Sequence, residues 1–270
     1  MSLTNDQDER VRRSRMYREI YQWSEMTKNK QVIAKELVYG VHSIIELLKA
    51  KKRKLYSIYT TKPTPKAWEK VQELLPSYTM IQYVDKKVLT KMADSEDHQN
   101  IIGLASPFIT RSKPFDPNKH KFLLLLDGIQ DTKNLGAILR SAYCTNLDGV
   151  ILTQKGSSPI NAAAIKSSAG LAEHMDILVT GSASAAVLEL KNSGYNIYLA
   201  TVDNSKNVND VNYKFPLCIV IGNEATGISR GILNSGEHIS LPQRNPDISY
   251  NASVAAGIIM FNIATKNRIL

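Results

Sequence analysis

Apolar positions along the chain change period several times, and the changes divide it into segments. From Leu37 the stretch VYGVHSIIELLKAKKRK sets Val41, Ile44, Ile45, Leu47 and Leu48 at helical spacing, with lysines gathered at its C-terminal end, and this predicts a helix. The runs LYSIYTTK, TMIQYVD and QNIIGLASPF predict strands, and AWEKVQELL and KKVLTKMAD between them predict helices. This alternation predicts a small α/β unit over residues 36–110. The segment TRSKPFDPNKHK, with two prolines and mixed charge, interrupts the pattern and reads as a linker over 111–120. A second unit follows over 121–270. Its strands, FLLLLDGI, GVILTQ, DILVT, NIYLATVD, LCIVIGNE and HISLP, include continuously apolar runs, the mark of strands covered by helices on both faces. Predicted helices lie between them: NLGAILRSAYCTN, NAAAIKSSAGLAEHM, SAAVLELKNSG, a short GISRGILNSG and a terminal SYNASVAAGIIMFNIATKNR. The pattern predicts a mostly parallel α/β sheet.

Composition narrows the function classes. At 43% hydrophobic and 22% charged over 270 residues the chain has the make-up of a globular protein, which excludes wholesale disorder. Runs such as Phe122–Leu126 fall far short of the roughly 20 apolar residues of a membrane-spanning helix. The opening MSLTNDQDER has no apolar core of a secretory signal, so a cytoplasmic location is expected. The 34 Lys and Arg against 25 Asp and Glu leave a formal charge of +9, which makes a polyanion the expected partner. Residues 1–35 concentrate Arg10, Arg12, Arg13, Arg15, Arg18, Lys28, Lys30 and Lys35 among Tyr17, Tyr21 and Trp23, either a nucleic-acid-binding arm or a solvated amphipathic segment. Cys144 and Cys218 sit in apolar stretches with no CxxC or Cys/His cluster, so neither a disulfide framework nor a structural zinc is expected.

In an open parallel sheet, ligands bind beyond the carboxyl ends of the strands, so the segments following strands hold the candidate chemistry. Three stand out. QDTKNLGAILRSA puts Asn134 and Gly136 at the mouth of a helix with Arg140 in its first turns, an arrangement suited to a phosphate or oxyanion; alternatively Asn134 is only the cap and Arg140 a surface ion pair. The turn Gly222–Gly227 after LCIVI lets a ligand approach backbone, but it is not GxGxxG, and neither Walker A nor GxSxG occurs anywhere. The loop from Leu241 to Asn251 is polar and runs into an apolar last helix, with Ser249 as the expected N-cap. The five histidines, His42, His98, His120, His174 and His238, are scattered, which gives a histidine-based mechanism little support.

Taken in order, these segments resemble the three motifs of the SpoU (TrmH/RlmB-like) family of SPOUT RNA methyltransferases, which methylate a ribose 2′-hydroxyl with S-adenosylmethionine. NLGAILRSA resembles the first motif, IVIGNEATGIS the second, and ISLPQ with SYNASVAAGIIMFN the third; order, spacing and C-terminal placement match across roughly residues 122–268. The upstream unit, with YGVHSIIELL and DHQNIIGLA, is similar to the ribosomal-protein-like substrate-binding domain of the ribosomal-RNA branch. Tyr250 departs from the pattern, standing where the family usually has an aliphatic residue.

The resemblance implies a mostly parallel C-terminal sheet knotted as a trefoil, a small N-terminal α/β substrate-binding domain, and a homodimer burying the last helix. It implies S-adenosyl-L-methionine held by Thr201, Gly222, Leu241 and Tyr250, with Asn134, Arg140, Glu224, Ser249 and Asn251 as the catalytic set and no metal. A guanidinium rarely deprotonates, so Arg140 is read as a clamp on phosphate and developing alkoxide rather than as a base. Ser249 and Asn251 would orient the hydroxyl, and Glu224 would accept its proton or hold the loop. Lys51, Lys52, Arg53 and Lys54, with Arg12 and Arg13 of the arm, are the expected phosphate contacts. The expected substrate is structured RNA, foremost a guanosine of large-subunit ribosomal RNA. The alternatives are a transfer-RNA enzyme of the same family, or an inactive RNA-binding ribosome-assembly factor; a dinucleotide oxidoreductase lacks its fingerprint.

Overall fold

A computed structural model describes residues 34–202, 205–245 and 248–270. Two sheets are built from Glu36 onward, and together they form one compact unit to Leu270. The smaller has four strands, β1 (Glu36–Tyr39), β2 (Leu55–Thr60), β3 (Met80–Tyr83) and β4 (Ile101–Ala105), in the order β1-β4-β2-β3. Helices α1 (Val41–Ala50), α2 (Trp68–Leu74) and α3 (Lys86–Ala93) connect them. Val38, Ile44, Leu47, Ile58, Trp68 and Val71 form a core against α1 and α2, while Leu89 of α3 meets Tyr39 and Ile102 on the other face.

The first strand was hidden. Leu37–Tyr39 reads as the run-in to a helix, yet it pairs antiparallel with β4, Val38 opposite Gly103. Gly40, at φ +91°, ends β1 and allows α1 to start at Val41.

The larger sheet has seven strands: β5 (Phe122–Asp127), β6 (Gly149–Thr153), β7 (Ile177–Thr180), β8 (Asn196–Ala200), β9 (Lys206–Asn207), β10 (Leu217–Gly222) and β11 (Glu237–Ser240). Their order is β7-β6-β5-β10-β8-β11-β9, and every pairing is parallel. The pleat divides β5 between two cores. Phe122, Leu124 and Leu126 pack with α4 (Thr132–Cys144) and α7 (Ala252–Lys266), and Leu123 and Leu125 pack with α6 (Ala183–Asn192). That two-sided burial is why these strands read as uninterrupted apolar runs. The two-residue β9 carries no such run and went unforeseen.

The helix expected over residues 161–175 is broken. Helix α5 (Ala162–Ser167) stops, Ala169 and Gly170 take φ +55° and +85°, and a 3-10 turn follows over Leu171–His174. A Cβ on Gly170 would lie 2.8 Å from the Ser43 backbone of α1, so the break lets the two sheets' helices approach closely. Ile165 of α5 is buried in the small sheet's core, and Glu173 of the turn bonds Arg53 at 2.8 Å. Residues 111–120, read as a linker, lie against the large sheet: Arg111 bridges to Leu178 and bonds Asp176, and Phe115 is buried. Among the described residues no helix is long and apolar enough to cross a membrane.

Candidate functional site

Strand order reverses between β5 and β10, so their carboxyl ends flank the crevice where open parallel sheets place ligands. Asp127 and Gly222, the last residues of the two strands, are paired in register there. The chain then turns sharply on both sides. After β5, Gly128 (φ +80°) leads to Asp131, whose carboxylate accepts from the backbone N–H groups of Lys133 and Asn134 at 2.6 and 2.9 Å and caps α4. Asp131, not Asn134, is therefore the N-cap, and the Asn134 side chain is left for other partners.

After β10 the turn Asn223–Gly227 closes on itself through two backbone hydrogen bonds of 3.0 and 2.9 Å. Asn223 holds it from within. Its Oδ1 accepts from the N–H groups of Ala225 and Thr226, and its Nδ2 donates to the Gly128 carbonyl at 2.7 Å, tying the two turns together. Asp127 accepts from the Ser229 N–H at 2.8 Å and fixes the far end of the turn. A Cβ on Gly222 would sit 2.3 Å from the Gly227 carbonyl carbon, which leaves room for glycine alone. Sequence reasoning missed Asp127, Asp131 and Asn223; an Asp three residues before Asn134 was the one local cue, as a rival cap.

Three candidate residues meet above these turns. Asn134 Nδ2 donates to Glu224 Oε1 at 2.9 Å, and Asn134 Oδ1 accepts from Asn251 Nδ2 at 3.2 Å. Asn251 is also the N-cap of α7, accepting from the Ser253 N–H at 2.9 Å. The cap expected at Ser249 thus falls two residues later, and Ser249 is exposed and outside the set. Arg140 is also outside it. Six residues beyond Asn134 on α4, it lies about 9 Å further along the helix axis, exposed and without an ion-pair or hydrogen-bond partner among the described residues.

The other four candidates line the adjoining strand ends. The Thr201 N–H donates to the Ile239 carbonyl at 3.0 Å, and continuing the β8–β10 register sets Thr201 beside Gly222. Leu241 follows β11 and packs, half-buried with Ala200 and Ala252, on the main core. Tyr250, 44% exposed, donates from its hydroxyl to the Pro242 carbonyl at 3.3 Å. Leu241 is thus half-buried and Tyr250 exposed, and the side of Gly222 where a Cβ would stand is filled by Gly227 and Ile228. Among the described residues no group of three His, Cys, Asp or Glu side chains is placed to hold a metal ion.

The phosphate contacts expected next to α1 are divided by the structure. Arg53 is a correction: its side chain is 1% accessible, bonded to Glu173 at 2.8 Å and Glu36 at 3.0 Å, and it is spent on joining the two sheets. Lys52 bonds Asp176 and the carbonyls of His174 and Met175. Lys51 and Lys54 are exposed. Arg12 and Arg13, with the rest of the basic arm, lie outside the described residues.

Comparison with known proteins points the same way. The SpoU rRNA Methylase family profile matches residues 121–261, and a profile for RNA 2′-O ribose methyltransferase substrate binding matches 37–110. A Staphylococcus haemolyticus protein assigned to the TrmH family of tRNA/rRNA methyltransferases is 32% identical over 196 residues, covering 69% of this chain and 78% of its own. A Bacillus subtilis protein of the same assignment is 28% identical and covers 86% and 96%. Among solved structures, the AdoMet-bound rRNA methyltransferase of Sinorhizobium meliloti superposes with a TM-score of 0.72 at 19% identity, covering 86% of this chain and 87% of that one. The SpoU methyltransferase AviRb of Streptomyces viridochromogenes, solved with AdoMet, gives 0.72 at 20% identity over 93% and 98%. At these identities the structural likeness is one of fold.

Proposed function

The chain belongs to the SpoU family of RNA methyltransferases, and on that premise we propose that it methylates the ribose 2′-hydroxyl of a guanosine in large-subunit ribosomal RNA, using S-adenosylmethionine. The observation that carries the reading is the Glu224–Asn134–Asn251 set, in which one residue from each of three distant motifs is hydrogen-bonded to the next. When bound, S-adenosylmethionine supplies a methyl already activated on a sulfonium, so the protein's own work is alignment and removal of one proton. Thr201, Gly222, Leu241 and Tyr250, at neighbouring strand ends, are the residues that would hold its adenine ring and sugar.

Glu224 is exposed and held by Asn134, which suits it to accept the hydroxyl proton. Asn251 and Ser249 orient the ribose. Arg140, with no carboxylate partner among the described residues, is available to a phosphate of the substrate and to the alkoxide as it develops. The ribosomal-RNA branch is favoured over a transfer-RNA substrate by the additional unit matched over 37–110.

The same reading includes a trefoil knot around the cofactor and a homodimer through the C-terminal half, in the cytoplasm. A dimer is supported by Val254, Ile258 and Phe261, a stripe at i, i+4 and i+7 of α7 that is 48%, 41% and 57% exposed. The deciding experiment is mass spectrometry of ribosomal RNA from cells with and without the gene. Loss of one 2′-O-methylguanosine from the large-subunit RNA is expected; an unchanged ribosomal RNA with a methyl missing from transfer RNA would overturn the substrate assignment.

A further inference from the structure

The outer edge of the small sheet carries chemistry that the methyl-transfer site does not use. Strand β3 is last in its sheet, so one of its edges has no partner strand among the described residues. All four of its residues are exposed although three are apolar or aromatic; Met80 is 60% accessible, Tyr83 47%, and Tyr78 just upstream 55%. Edges of this kind are normally shortened, bulged or charged to prevent adhesion. Here the charge comes from lysines lying on rings. The Lys54 ammonium stands 4.8 Å from the Tyr78 centroid and 5.5 Å from that of Tyr56, and the Lys62 ammonium stands 4.4 Å from Tyr83. Neither lysine has a carboxylate partner among the described residues.

We propose that this edge holds an unpaired stretch of the substrate RNA, with bases stacked on Tyr78 and Tyr83 and the adjoining phosphates neutralised by Lys54 and Lys62. The proposal rests on the RNA-methyltransferase reading and adds to it a class of recognition, single-stranded rather than double-helical. Rings alone would serve a protein strand equally well. A cation on each ring with no acidic partner favours a polyanion, because stacking takes any base while the ammonium meets the backbone beside it. Tyr78 lies in the turn that leads into β3, and Tyr83 is the last residue of the strand. Exposed aromatics carried by a four-stranded sheet take two or three bases in other RNA-binding modules. The opposite edge, β1, is turned to α5 and the large sheet, which leaves β3 as the edge open to an incoming strand.

The test uses the full chain and two probes, an RNA hairpin with a short single-stranded tail and the same hairpin blunt-ended, titrated by fluorescence anisotropy. Tyr78→Ala and Tyr83→Ala are each expected to weaken binding of the tailed hairpin by about ten-fold, with no change for the blunt one. Tyr78→Phe and Tyr83→Phe should keep the parent affinity, since stacking needs the ring and not the hydroxyl. Calorimetric titration with S-adenosylmethionine should match the parent in every variant, which guards against a folding defect. If the parent binds the tailed RNA and the alanine variants bind it equally, the edge assignment is overturned and the enzyme reading stands. A parent that binds neither RNA overturns the reading beneath it as well. Altered oligomeric state in the alanine variants with unchanged RNA affinity would make the edge a protein contact instead.

Discussion

The amide of Asn134 donates a 2.9 Å hydrogen bond to the carboxylate of Glu224, joining residues 90 positions apart at the ends of two adjacent strands. Because the Asn134 oxygen accepts from Asn251, the orientation of its amide is fixed and its donor is aimed at Glu224. Glu224 is exposed and Asn134 half-buried, so the bond adds only about 1 kcal/mol to stability. Its consequence lies in turnover. Asn134→Ala and Glu224→Ala should each lower kcat at least about 100-fold, within the usual range for a positioned acid–base group, and the double variant should lose little more than the worse single one. Independent, multiplying losses in a single-turnover assay would show that the two side chains do not act as a unit.

Arg140→Ala should abolish methyl transfer while S-adenosylmethionine affinity, read by calorimetry, stays within a few-fold of the parent. The arginine stands outside the Asn134 set and has no partner among the described residues to release. Arg140→Lys should restore little, because a point charge cannot reproduce the two parallel bonds of a guanidinium on phosphate. Equal loss of cofactor binding and catalysis would move Arg140 from the RNA side of the site to the cofactor side.

Gly222→Ala should impair both cofactor binding and turnover. Its Cβ would fall 2.3 Å from the Gly227 carbonyl carbon and 2.4 Å from the Ile228 nitrogen, so the turn carrying Glu224 must shift. An unchanged cofactor affinity, measured by calorimetry on folded protein, would show that the turn relaxes without disturbing the cofactor site.

How much of this was legible in advance depends on the range over which each feature is determined. The central strands and α4 and α7 were readable because two-sided burial and helical spacing leave local patterns, as in Phe122–Leu126 and in Ile259, Met260 and Ile263. Strand β1 was not, because four residues abutting a helix signal become a strand only by pairing with Ile102–Ala105, more than 60 positions on. Likewise Asn134 read locally as a cap, and its meeting with Glu224 and Asn251 followed from family resemblance rather than from any local pattern. Arg53 misled for a related reason. It sits in a basic run that looks solvated, and the carboxylate that buries it comes from Glu173, 120 residues away.

That buried pair makes its own prediction. Burial raises the Glu173 carboxyl above its ordinary value of 4.5, with Arg53 opposing the shift, and Glu173 Oε2 has no hydrogen-bond partner among the described residues. Removing the side chain, as in Glu173→Ala, leaves Arg53 with Glu36 and the Ser106 carbonyl and should cost about 3 kcal/mol by urea unfolding, whereas Arg53→Met with Glu173→Leu should recover most of the loss. The pH dependence has a defined sign. An acid whose folded value is raised binds more protons folded than unfolded, so its contribution is complete below 4.5 and declines as pH climbs through the raised value. The stability advantage of the parent over Glu173→Ala should therefore shrink from acid toward neutral pH; an advantage that grows would mean that the Arg53 pairing outweighs desolvation.

The remaining basic residues next to α1 can be separated by salt dependence. Lys51 and Lys54 are exposed and outside any ion pair among the described residues, whereas Lys52 is held by Asp176 and two carbonyl oxygens. If the first two meet phosphates, replacing both with Ala should reduce the slope of log affinity against log salt for a structured RNA by about 0.7–0.9 per contact. Lys52→Ala should leave that slope alone and act instead on the junction of the two sheets, lowering unfolding stability by less than about 1 kcal/mol because its ion pair is largely solvated. A slope unchanged by the Lys51 and Lys54 replacements would remove this surface from the RNA interface and transfer the electrostatic contacts to the arginines of residues 10–18, whose replacement would then have to flatten it.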